Sequence, residues 1–65
     1  MNKITACARR LSKIEKPLSQ RVYPDGSTIL EFTKERESQL KSEVQKLPCY
    51  NRVEIGTQKI TILLF

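Results

Sequence analysis

Histidine and tryptophan are absent from this chain, and several other residue types are nearly so. Without histidine there can be no Ser-His-Asp or Cys-His arrangement and no imidazole ligand for a metal. The two cysteines, Cys7 and Cys49, fall short of the four Cys/His ligands that a structural zinc site takes from one chain. Gly26 and Gly56 are the only glycines, so no glycine-rich phosphate loop can form. Asp25 is the only aspartate. It stands in Tyr23-Pro24-Asp25-Gly26, where Asp serves the backbone of a turn. The longest strictly apolar run, Ile62 to Phe65, is far below the ~20 residues of a membrane-spanning helix. Arg9 and Arg10 fall where a signal peptide would carry its apolar stretch, so the expected setting is cytoplasmic and reducing. Both thiols are then expected to be free and packed as small hydrophobes, with a disulfide between them as the alternative.

What remains describes one small domain. Sixty-five residues, 38% of them hydrophobic, suffice for a thin two-layer core but not for a core plus a deep active site. Twelve Lys and Arg against seven Asp and Glu give a net charge of +5. That excess is uneven. Residues 1–23 carry Lys3, Arg9, Arg10, Lys13, Lys16 and Arg21 against Glu15 alone, while residues 24–48 are slightly acidic.

Proline and glycine divide the chain. In residues 3–15, Ile4, Cys7, Ala8, Leu11 and Ile14 make one helical stripe, and Pro17 disfavours continuation. Residues 19–33 read as a β-hairpin around Tyr23-Pro24-Asp25-Gly26, with Pro fixing φ and Gly free to take positive φ at a bulge. Opposing Tyr23 to Ser27 puts Leu18, Val22, Leu30 and Phe32 on one face and Arg21, Tyr23, Ile29 and Glu31 on the other. Residues 34–47 are rich in helix formers, with Thr33 as expected N-cap, Glu35 and Glu37 in the first turn, and Leu40, Val44 and Leu47 as the apolar stripe. Glu37 and Lys41 have the favourable i,i+4 orientation. Residues 50–65 read as a second hairpin around Gly56-Thr57, with Ile60, Ile62 and Leu64 on one face.

The order α-β-β-α-β-β predicts an α+β domain. Its expected form is a four-stranded antiparallel sheet of two hairpins, with both helices packed on one face. The inward set would be Leu18, Val22, Leu30, Phe32, Val53, Ile55, Ile60, Ile62 and Leu64.

No catalytic constellation emerges. Glu35 and Glu37 face different sides of their helix. Arg9 and Arg10 could activate Cys7, but Cys7 lies on the apolar stripe, where thiols are inert. No enzymatic activity, cofactor, metal or small-molecule substrate is expected.

Two surfaces could serve a partner. Arg9, Lys13 and Lys16 stack along the first helix at i, i+4 and i+7, flanked by Arg10. They would meet phosphates, an acidic protein surface or only solvent. The second is the sheet face away from the helices, bearing Arg21, Tyr23, Ile29, Tyr50, Arg52, Thr61, Leu63 and Phe65. Solvated strands are normally polar there, whereas this set has the composition of an interaction hot spot. A first helix packed behind the sheet, or a homodimer, would also cover it. In size and plainness alone, the chain resembles the short accessory proteins of phages, prophages and plasmids, which bind and inhibit or redirect larger host complexes. That resemblance implies no particular residue. The reading is a non-enzymatic protein-interaction regulator or inhibitor whose partner is a protein or a second copy. Nucleic-acid binding through the basic helix is the alternative.

Overall fold

The computed structural model describes residues 3–65. The elements are α1 (Lys3–Ile14), β1 (Ser19–Val22), β2 (Thr28–Thr33), α2 (Glu37–Val44), β3 (Asn51–Ile55) and β4 (Lys59–Leu64). The four strands form one antiparallel sheet in the order β1-β2-β4-β3. The domain is α+β, in the element order that the periodicities predict.

The first hairpin follows from its turn. Gly26 N–H donates to Tyr23 O at 2.9 Å and Tyr23 N–H to Ser27 O at 2.8 Å. This closes a tight turn followed by a one-residue bulge, which requires Gly26 at φ 96°. Asp25 clamps the turn by accepting from Ser27 N–H at 2.9 Å and Ser27 Oγ at 2.7 Å. These bonds hold its carboxyl below the ordinary value. The register is the expected one, with Val22 opposite Thr28 and Gln20 opposite Leu30.

Alternation puts Leu30 and Phe32 of β2, and Ile60, Ile62 and Leu64 of β4, on one face. All five are fully buried, in one cluster with Cys7, Ala8 and Leu11 of α1, Leu40 and Val44 of α2, and Leu47. Both helices therefore lie on that face, with α1 against α2 and over the central strands β2 and β4.

Three expected core residues are not covered. Leu18, Val22 and Ile55 project from the helix side of the sheet but are 59%, 64% and 45% exposed. They sit on or beside the edge strands, beyond the helices' footprint. Val53 of β3 is partly buried against the core.

Helix boundaries also differ from expectation. α1 ends one residue early, at Ile14. Glu15 turns back, and its Oε2 accepts from Thr33 N–H at 3.0 Å and Thr33 Oγ1 at 2.7 Å. Glu15 Oε1 is buried with no hydrogen-bond partner among the described residues. Thr33 is thus not the N-cap of α2. It is still paired in the sheet, opposite Lys59, and the chain needs residues 34–36 to turn from strand to helix. Arg36 occupies the N-cap position without a side-chain capping bond. At the other end, Lys46 N–H to Glu43 O and Leu47 N–H to Val44 O tighten the last turn before Pro48. The expected Glu37–Lys41 pair is present at 4.0 Å, with Lys34 on the other side of Glu37 at 3.8 Å.

Candidate functional site

The pairings build the outer sheet face row by row. Arg21 lies opposite Ile29, Ile29 opposite Leu63, and Leu63 opposite Arg52. The central row of this face is therefore two aliphatic side chains between two arginines. Ile29 and Leu63 are half-buried, and both arginines are exposed. Toward the turn lie Tyr23, at the end of β1, and the pair Tyr50 and Phe65. Phe65 N–H donates to Tyr50 O at 2.9 Å. The two rings stack with centroids 6.2 Å apart and planes 19° apart. Tyr50 is 78% and Phe65 52% exposed. No described helix covers this face.

Its opposite end is polar. Glu31 accepts from Ser19 Oγ at 2.7 Å and pairs with Lys59 Nζ at 2.7 Å. Lys59, then Ser19, holds the Glu31 carboxyl below its ordinary value. Glu54 lies opposite Thr61 in the same row. Arg21, Tyr23, Ile29, Glu31 and Thr61 surround a hollow of about 380 Å3. The face thus runs from an aromatic, arginine-flanked end to an internally paired polar end. Of the eight residues that alternation assigns to this face, seven fall on the first two rows, and Thr61 falls on the polar one.

The basic ridge is less uniform than the spacing suggests. Arg10 Nη2 pairs with Glu43 Oε1 at 2.9 Å, bridging α1 to α2. Lys16 lies two residues past the end of α1, so it does not continue the ridge at helical pitch. Arg9 and Lys13 line different clefts. Lys13 faces a cleft of about 550 Å3 between the helices, where Arg36 and Lys46 of the α2 region join it. The one acidic side chain there, Glu43, is the partner of Arg10. Arg36 and Lys46 were not legible as site residues from α1 alone. Their signal is the 36, 39, 43, 46 spacing, which places one stripe of the second helical segment toward the first.

The thiols offer no reactive centre. Cys7 is fully buried and Cys49 half-buried, both free. Burial, then a hydrogen bond with Cys7, pushes the Cys49 thiol up to about 11. That keeps it protonated and a poor nucleophile near neutrality. Among the described residues, no group of three or more His, Cys, Asp or Glu could hold a metal ion. No described helix is long and apolar enough to cross a membrane.

Comparison with protein-family models, with curated proteins and with solved structures finds no match, so the functional reading rests on this chain's own residues.

Proposed function

We propose that the chain is a small, non-enzymatic binding module that regulates or inhibits a larger protein complex by docking on it with the outer sheet face. The observation that supports this most is the row Arg21–Ile29–Leu63–Arg52 beside the exposed Tyr50–Phe65 stack, on a face that no described helix covers. Aromatic and arginine side chains around a small aliphatic centre are the residues that dominate interface energetics. The partner surface is apolar at its centre and acidic at its rim. A second copy fits less well, since it would bring another +5 chain and the same arginine pair.

The test is Ile29→Asp and Leu63→Asp. Affinity capture after nuclease treatment, at physiological salt, should recover a protein with the parent chain and lose it with either variant. Circular dichroism should show both variants folded. Capture that persists in both folded variants would remove the outer face from the reading. Unfolding of the monomer would make Ile29 and Leu63 core residues.

A second reading, nucleic-acid binding, is favoured by the cleft between the helices, where Lys13, Arg36 and Lys46 converge and the only acid is already paired. Replacing these three by Gln should then reduce the salt dependence of DNA or RNA binding by roughly one unit per lost phosphate contact. No binding by the parent chain at low salt removes that reading.

A further inference from the structure

The two edges of the sheet are not equally finished. α1 packs over β2 and β4 and leaves the helix side of β1 bare. All four β1 residues are exposed. Between α1 and β1 runs a groove of about 360 Å3, with Ala8, Arg9 and Ser12 on the helix wall and Gln20 and Val22 on the strand wall. Val22 presents an apolar side chain there, 64% exposed, and Leu18, 59% exposed, precedes the strand on the same side of the sheet.

The free edge of β1 also carries unused backbone groups. Tyr23 N–H donates to Ser27 O, so Tyr23 and Ser27 are a hydrogen-bonded pair. Such pairs alternate along an antiparallel ladder. Val22–Thr28 and Gln20–Leu30 are therefore non-hydrogen-bonded pairs. The N–H and C=O groups of Gln20 and Val22 point away from β2, out of the sheet.

Among the described residues Arg9 is the only charged side chain on the walls of the groove, and Arg21 stands on the opposite, outer side of the same strand. Within residues 3–23 the only acid is Glu15, and its carboxylate is turned onto Thr33.

We propose that β1 is a strand-addition site. An extended segment of an acidic partner protein pairs with the free groups of Gln20 and Val22. Its alternate apolar side chains enter the groove beside Val22, and its carboxylates meet Arg9 at the groove and Arg21 on the outer side of the strand. A docked helix would leave the edge groups unpaired, whereas an extended segment satisfies them and uses the pleat to present every second residue to the groove. A second copy would set Arg9 and Arg21 against their own images. This surface shares only Arg21 with the outer face, so either can fail without the other.

The experiment uses the full chain as bait for a phage-displayed library of random peptides about a dozen residues long. Binders should alternate apolar and acidic residues. Added to the isotope-labelled chain, they should shift the Gln20 and Val22 amides and slow their hydrogen exchange. Val22→Pro removes an edge donor that β2 does not use, and should abolish binding while the fold persists. Arg9→Glu should weaken binding by about tenfold or more. If Val22→Pro does not fold, peptides N-methylated at alternate positions replace it, and they should fail to bind the parent chain. Leu63→Asp should leave peptide binding intact. The proposal is overturned if no peptide is enriched over an unrelated bait. It also falls if binders lack acidic residues, bind as helices or shift only the amides around Tyr50 and Arg52, or if the chain is a dimer that Val22→Pro dissociates.

Discussion

The two edge strands have similar alternation and different fates. β3 is tied to the helical layer at its start, where Asn51 Nδ2 donates to Val44 O at 3.0 Å and Cys49 O at 3.4 Å. Its Val53 packs against the core. Among the described residues β1 has no comparable tie. It hangs on β2 through the ladder, the turn and the Ser19–Glu31 contact, with every residue exposed. Alternation decides which side of the sheet a residue takes, but the placement of the helices decides whether that side is covered. An edge strand is stable in the first sense and accessible in the second.

The strongest way to break this comparison is at the turn that holds β1. Gly26→Val leaves the volume free, since a Cβ there meets nothing within 4 Å. It does force a β-branched residue to φ 96°, at a cost of about 1–3 kcal/mol. In a domain worth ~5 kcal/mol, thermal unfolding should show a large loss. Amide exchange should show β1 losing protection first. Gly26→Asn should cost less, because Asn tolerates positive φ. A melting temperature unchanged by Val would show that the bulge is not what fixes the hairpin.

A sharper version compares one residue on each edge. Val53→Ala removes methyl groups in contact with the core and should cost about 1 kcal/mol. Val22→Ala removes the same atoms from a side chain left in water and should stay within about 0.5 kcal/mol. Equal losses in denaturant unfolding would mean that β1 is covered after all.

The smallest expected effect is electrostatic. Glu31 joins β1 to β2 through Ser19 and β2 to β4 through Lys59, and its pKa is lowered in the fold. The unfolded chain therefore takes up this proton first as pH falls. The contribution is complete above the ordinary value of 4.5 and is lost as pH drops through the lower folded value. Glu31→Gln should lower stability slightly near neutrality, where the contribution is complete, and make the acid limb of stability against pH shallower below about pH 4.5. An unaltered limb would show that the paired carboxylate adds no pH dependence.

These effects were unequally visible in the residues. Tyr23-Pro24-Asp25-Gly26 specifies its turn almost alone, and the pleat then places Arg21, Ile29, Leu63 and Arg52 on one face. Leu18, Val22 and Ile55 have the same alternation as Leu30 and Ile62, so no local pattern marks them as uncovered. Their exposure depends on strand order and on where the helices rest, which are properties of the whole fold. Residues 34–36 are good helix formers spent on a turn, because Thr33 is still held in the sheet. The helix-to-helix cleft, with Lys13, Arg36 and Lys46, needs both helices in place before it exists.

In chain order the domain is an α-β-β unit twice over, each placing its second strand at the centre of the sheet. The units meet along the β2–β4 ladder from Thr28–Leu64 to Thr33–Lys59, joined covalently only through residues 34–36. That short tether makes the meeting of the two units intramolecular and supplies a high effective concentration. A chain cut within residues 34–36 would turn folding into the association of two fragments. Its yield would depend on their concentration, like that of a heterodimer.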